Sequence, residues 1–242
     1  LQGKSIINSN RMSMKKLFFL FAFLVGLGIS SSVYAQLVKE VTLTSTNTLA
    51  SELGADVGKV TSLKVNGLLR AEDFKTMKEQ MNMLQVLDMS GVTELPKTAY
   101  WNESVREELQ SIPREAFQNK LTLQKVIFSE ALEMIDEGAF SGCNNLTEFD
   151  FSKATQLRSI EYRAFYECSG LRDLDLSACT SLVGIRSNAF YRCSNLQTVN
   201  LSGCGKLSNI GTYAFRYCSS LRTVDLSNCT ALAILDSYVF SD

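Results

Sequence analysis

Six phenylalanines, Phe117, Phe140, Phe165, Phe190, Phe215 and Phe240, recur at steps of 23, 25, 25, 25 and 25 residues, and a set of apolar positions recurs with them. A fixed period of this length confines the chain to stacked copies of one supersecondary unit, none of which has a core of its own. From Leu171 the chain runs LRDLDLSACTSLVGIRSNAFYRC and from Leu196 it runs LQTVNLSGCGKLSNIGTYAFRYC. The shared skeleton is L-x-x-L-x-L-S-x-C-x-x-L-x-x-I-x-x-x-A-F-x-x-C. Leu174 and Leu176 alternate with Asp173, Asp175 and Ser177, the period of two of a strand with one buried face. Successive strands then lie parallel, with the rest of each repeat as the return path. The stretch before each Phe, such as GTYAFRYC, suits a helical turn with Ile210 and Phe215 facing inward.

The segment L-x-x-L-x-L-x-x-C resembles the leucine-rich repeat, and its continuation into I-x-x-x-A-F-x-x-C is similar to the BspA-type subclass found on bacterial surfaces. The likeness covers residues 112–242 almost throughout. A looser segment from Val60 to Ser90, with TSLKVNGLL, AEDFKTMKEQM and LQVLDMS, is similar to the first turns of the same family. The resemblance implies a fold of the α/β class: a right-handed leucine-rich-repeat solenoid with a parallel β-sheet on the concave face and short helical turns or irregular structure on the convex face. It also implies surface display, adhesion to host proteins or other cells, and no catalysis.

Met14, Lys15 and Lys16 precede a run from Leu17 to Ile29 made only of Leu, Phe, Ala, Val, Gly and Ile, followed by SSSVYAQ. A charged segment, an apolar segment and a small-residue site in this order form a signal peptide over 14–35, with cleavage expected after Ala35 and export as the consequence. An uncleaved anchor is the alternative, but the run is shorter than the ~20 apolar residues a spanning helix needs. Residues 1–13, which begin with Leu, read as upstream residues outside the natural coding sequence. Residues 1–35 hold four basic residues and no acid, so the remaining chain carries 20 basic against 25 acidic residues. A net acidic surface without a basic stripe excludes nucleic acid and anionic lipid as main partners. Contact with a membrane is expected only through the cleaved leader.

Residues 36–83 read as an N-terminal cap: VKEVTLT as a strand, TLASEL as a short helix, SLKV as a strand and AEDFKTMKEQM as an amphipathic helix. Without a cap the first strand of the stack is an unpaired edge. The repeats occupy 84–242 and open on LQVLDMS. An insertion of about fourteen residues, holding Tyr100 and the single tryptophan, Trp101, separates that strand from Ile112. The pattern stops two residues after Phe240, before the Cys and Leu that the repeat requires, so the natural protein is expected to continue past Asp242.

Seven cysteines fall in two columns, Cys143, Cys168, Cys193 and Cys218, and Cys179, Cys204 and Cys229. Stacking brings neighbours in a column to about the ~4.8 Å interstrand spacing, within reach of a disulfide. Parallel side chains and an odd total favour a ladder of small buried thiols instead. No C-x-x-C pair is present, so neither zinc nor another metal or cofactor is expected.

The chain has no histidine, which removes Ser-His-Asp and Cys-His machinery and the usual general base at neutral pH. Carboxylate chemistry remains, of the kind glycosidases use. Asp150, Asp175 and Asp225, with Asn200, lie between the inner apolar residues of their strands and form one outward column; Glu148, Asp173, Thr198 and Thr223 flank it, and Ser152, Ser177, Ser202 and Ser227 form a third. Asp150 and Asp175 on adjacent rungs approach the separation of a retaining pair, yet nothing in the pattern encloses them. Like charges on neighbouring strands repel, so the acidic column is an unforced choice for folding and points to a partner. Replacing Asp175 by Ser is accordingly expected to cost little. The expected activity is therefore binding, through this polar concave face, of a protein partner such as a host-surface or matrix protein or another cell, with a glycan as a second class. Tyr100 and Trp101 either contact that partner or pin their loop to the scaffold. The rival expectations are a structural spacer for further domains, a carbohydrate-active enzyme using Asp150 and Asp175, and a thiol-redox role.

Overall fold

The computed structural model describes residues 36–241, leaving aside 103, 104, 234 and 237 and the side chains of 101–106. The signal peptide expected over 14–35 and the upstream residues 1–13 lie outside the described residues.

The first part of the chain follows its alternating periods. In order come β1 (Leu37–Leu43), α1 (Leu49–Leu53), a 3-10 turn (Gly54–Lys59), β2 (Val60–Leu68), α2 (Ala71–Glu79) and β3 (Val86–Glu94). β1, β2 and β3 pair in parallel, so the segment expected as strand, helix, strand and helix adds two rungs to the sheet that the repeats continue. Apolar residues one turn apart on α2, Phe74 and Met77, are buried against that sheet. Asp73 in its first turn is fully buried, accepting from the Arg70 N–H at 2.9 Å and from the Leu49 N–H at 2.7 Å. One carboxylate thus holds the starts of both helices.

Each later repeat lays down three hydrogen-bonded stretches. The first is the strand of the L-x-L motif: β6 (Lys125–Ile127), β8 (Glu148–Asp150), β10 (Asp173–Asp175), β12 (Thr198–Asn200) and β14 (Thr223–Asp225). The second is a two-residue strand ending at the conserved-spacing Ile: β7 (Met134–Ile135), β9 (Ser159–Ile160), β11 (Gly184–Ile185) and β13 (Asn209–Ile210). These pair in parallel as a separate sheet. The third is a run of turns, where the Phe N–H of one repeat donates to the carbonyl beside the next Phe: Phe140 to Ala164, Phe165 to Ala189 and Phe190 to Ala214, each at 2.8 Å.

Those turns replace the helical turn expected before each Phe. Two residues per repeat, four apart, sit in the left-handed region: Arg163 and Glu167 at φ 55° and 58°, Asn188 and Arg192 both at 58°, Tyr213 and Tyr217 at 62° and 58°. A right-handed helix cannot pass through such residues. The backbone is of the non-helical kind allowed for the convex side, but it is regular from rung to rung.

The Phe column is the spine of the core. Phe140 and Phe165 stack at 5.2 Å, Phe165 and Phe190 at 4.9 Å, Phe190 and Phe215 at 5.1 Å, with planes within 8° of parallel. Apart from a small separate cluster, the buried apolar residues form one continuous core from Val41 to Val239.

The insertion folds into an antiparallel hairpin, β4 (Lys97–Asn102) and β5 (Val105–Ile112), whose last two residues join the second sheet beside β7. Tyr100, Leu109 and Met134 pack in a small cluster of their own. Among the described residues no helix is long and apolar enough to cross a membrane.

Candidate functional site

The outward residues of the first sheet stand in register. Asp173 pairs with Thr198 and Thr198 with Thr223; Asp175 pairs with Asn200 and Asn200 with Asp225. Upstream, Lys125 pairs with Glu148 and Ile127 with Asp150. Glu148, Asp173, Asp175, Thr198, Thr223 and Asp225 are exposed, while Asp150 and Asn200 are half-buried.

The column of acids has a folding role that the strand pattern alone conceals. The Oδ1 atom of Asp150 accepts from the Ser152 N–H at 2.9 Å, that of Asp175 from Ser177 at 3.0 Å, that of Asn200 from Ser202 at 3.1 Å and that of Asp225 from Ser227 at 2.9 Å. Each closes an Asx turn that ends its strand. Asp88 makes the same bond to Ser90 two rungs before Asp150. A side-chain oxygen in this column therefore serves the turn, a use that cross-strand repulsion alone does not reveal, and Asp175→Ser exchanges the Oδ1 acceptor of the Ser177 amide for a weaker hydroxyl. The clue in the sequence is the exchange of Asp for Asn at position 200, since both carry the needed oxygen. These hydrogen bonds hold the carboxyls of Asp150 and Asp225 below the usual aspartate range, with the Ser152 and Ser227 groups as the main cause. The flanking column is paired too: Lys125 Nζ meets Glu148 at 2.7 Å and Thr198 Oγ1 donates to Asp173 at 2.6 Å.

Asp150 and Asp175 are not on hydrogen-bonded neighbours. The first sheet divides between β8 and β10 into a five-stranded and a three-stranded part. At this rung the two inward Leu positions are Phe149 and Phe151, which crowd against Phe128, Phe140 and Phe165 at centroid distances of 4.6 to 5.9 Å. The rung before holds Val126 and Phe128 at these positions and the rung after holds Leu174 and Leu176, so Phe149 is the ring that neither neighbour matches, and the first sheet parts here while the second sheet and the turn ladder run through. The result is a cleft of about 360 Å³ lined by Lys125, Phe149, Asp150, Ser152, Asp175 and Ser177. The Ser152 groups that lower the Asp150 carboxyl favour its ionised form, the opposite of the shift a general acid needs.

Tyr100 is taken up by the scaffold. It is buried, its hydroxyl accepts from Arg186 Nη2 at 2.9 Å, and Glu107 on the other hairpin strand pairs with Arg158 at 2.7 Å. The hairpin is thereby tied to rungs two and three repeats further on. Trp101 lies opposite Arg106 in the hairpin register, and its side chain falls outside the described residues.

The sequence profile of the BspA type leucine rich repeat region matches residues 110–242 in six copies, more than half of the chain. The chain belongs to the BspA-type leucine-rich repeat family. Solved structures similar to it include two from bacteria. A leucine-rich repeat protein from Bacteroides ovatus is 24% identical over 69% of this chain and 49% of its own, with a TM-score of 0.40. A leucine rich cell surface protein from Faecalibacterium prausnitzii A2-165 is 15% identical over 72% of this chain and 54% of its own, with a TM-score of 0.44. The chain spans about half the length of these relatives. No curated protein matches it.

In this BspA-type chain both cysteine columns are free buried thiols. Cys143, Cys168, Cys193 and Cys218 donate to the carbonyls of Phe117, Phe140, Phe165 and Phe190 at 3.0 to 3.3 Å, and Cys204 and Cys229 to those of Leu176 and Leu201. Each of these six thiols serves as a short donor that ties one rung to the one before. Cys179, whose counterpart acceptor is Phe151 across the divided sheet, makes no such bond among the described residues. Burial pushes Cys143 and Cys204 up to about 12 and raises Cys168 and Cys193 well above the ordinary thiol value. The folded protein at pH 8 is expected to leave a colorimetric thiol reagent unreacted until urea unfolds it. Labelling of the folded chain at the rate of a free thiol would reopen the redox reading.

Proposed function

We propose that the chain acts outside the cell as a recognition module, and that the first sheet's outward face binds a protein partner. Leucine-rich repeat proteins generally serve protein recognition or adhesion, and the family is typically non-enzymatic. The observation that carries the reading is the exposed register from Glu148 through Asp173, Asp175, Thr198 and Thr223 to Asp225, with the cleft between Asp150 and Asp175 at its middle. Short polar side chains in fixed positions lose little entropy on binding, and Phe149 in the cleft supplies an apolar contact among them. Export rests on the leader pattern over residues 14–35.

The Asx turns dictate the test. Asp150→Asn, Asp175→Asn and Asp225→Asn together remove three charges and keep an acceptor for each serine amide, as Asn200 does. The wild-type chain and this variant are expected to melt together, while proteins from extracellular-matrix and cell-surface extracts held by the wild type are released from the variant. Equal retention by both places the site elsewhere. Retention by neither favours the spacer reading.

A further inference from the structure

The parting of the first sheet leaves two strand edges facing each other, unpaired, within the run of repeats. On the rungs to either side the residue after the strand donates to the next rung: the Phe128 N–H to the Asp150 carbonyl at 3.0 Å, Leu176 to Asn200 and Leu201 to Asp225, both at 2.9 Å. Phe151, buried in the same column, has no backbone acceptor among the described residues, and the Asp175 carbonyl goes without that bond. The strand entry is undone as well. Glu148 donates to Gln124 and Thr198 to Arg172, whereas the Asp173 N–H makes no such bond to the Thr147 carbonyl. Cys179 is fully buried in a column whose next two members donate across one rung, and its counterpart acceptor, Phe151, lies over the parting. Buried polar groups ordinarily find partners. Folding alone does not need this gap, since Val126 and Val199, at the position of Phe149, sit on strands paired on both sides.

The cleft so opened gathers acceptors around an aromatic ring. Asp150 and Asp175 stand on its two walls, and the Asp175 carbonyl belongs to the unpaired edge. A carboxylate has about four acceptor directions, so each keeps capacity for a ligand beyond the serine amide that it holds. Lys125 also lines the cleft, but Glu148 takes its ammonium at 2.7 Å, and the walls stay negative. Phe149 is half-buried where Val126, Leu174 and Val199 at the same position are buried, so part of its ring faces the cleft. Among the described residues no three acids, cysteines or histidines are grouped to hold a metal ion. A guanidinium answers each feature: its weakly hydrated faces rest on a ring, and its five donors reach acceptors on opposite sides at once. An ammonium is a strongly hydrated point charge and serves one wall better than two.

We propose that the cleft between β8 and β10 takes one arginine side chain of the protein partner, an inference that rests on the reading of the strand face as a protein-binding surface. The guanidinium lies on the Phe149 ring and donates to Asp150 on one wall and to the carboxylate and carbonyl of Asp175 on the other; a bridging water serves the Phe151 amide. The test is a titration of the isotope-labelled chain with N-acetylarginine amide, followed by amide NMR shifts. Saturable shifts at Phe151, Asp175 and Ser177 are expected in the millimolar range suited to one side chain without its protein. N-acetyllysine amide is expected to bind more weakly and the uncharged N-acetylcitrulline amide not at all. Asp175→Asn, which keeps an acceptor for the Ser177 amide, is expected to weaken binding about tenfold or more, while Asp225→Asn, two rungs on in the same column, leaves it unchanged. Phe149→Leu keeps both carboxylates and is expected to lose binding too; melting curves separate these losses from loss of fold. No shifts at the cleft, equal binding of the citrulline amide, or undiminished binding in folded Asp175→Asn and Phe149→Leu overturns the proposal. The arginine amide is also expected to release proteins that the chain captures from extracts. Captured proteins that it fails to release overturn the arginine anchor and leave the strand-face reading standing, whereas extracts that yield no partner overturn both.

Discussion

Phe190→Ala is expected to lower the unfolding free energy by about 3 to 5 kcal/mol, read as a fall in the urea midpoint and in Tm. Phe190 is fully buried and stacked on both sides, against Phe165 at 4.9 Å and Phe215 at 5.1 Å. Truncation removes its transfer energy and leaves a cavity between two rings that cannot close it, because their own rungs fix them. A solenoid also couples each rung only to its neighbours, so weakening one interface is expected to split the unfolding transition as well as shift it. The matching change at Phe240, which is 38% exposed and stacks on Phe215 at 5.5 Å, is expected to cost far less. Equal midpoints for the two variants would contradict the Phe column as the energetic spine.

Asp73→Ala is expected to cost about 2 to 3 kcal/mol, as two backbone amides lose their acceptor inside the fold. The Leu49 and Arg70 N–H groups both point at this one buried carboxylate. Leu49 and Asp73 are fully buried and Arg70 half-buried, so the Leu49 amide loses more than the Arg70 amide does. Asp73→Asn keeps one acceptor oxygen and is expected to lose less. Hydrogen exchange checks the mechanism: faster exchange at both Leu49 and Arg70 in the Ala variant is expected, and unchanged protection would mean that another acceptor serves the two helices.

The repeat itself was legible because identical residues at a fixed period meet identical surroundings. The Phe stack, both thiol columns and the parallel strands all follow from that. The acidic column was legible in position, but its part in closing the turns was not. Its aspartates look optional when only cross-strand repulsion is weighed, and the short bond from Oδ1 to the amide two residues on is what makes them useful to the fold. The division of the first sheet left no trace in the pattern, since Phe149 and Phe151 satisfy the same apolar positions as Leu174 and Leu176 and differ only in size.

The sequence by itself determined the stacking direction, the inward and outward faces and the residues of the core, because burial acts on side chains by type and period. Tertiary structure alone decided where that regularity is used. Tyr100 reaches Arg186 across 86 positions of the chain, and the hairpin's resting place depends on that meeting. Arg192 and Arg216 share the Tyr217 ring only because the turns beneath them take left-handed backbone that a tyrosine or arginine does not announce. Local pattern fixes what each repeat must bury; the exact fit between non-neighbouring repeats is set by volumes and distances that no single repeat contains.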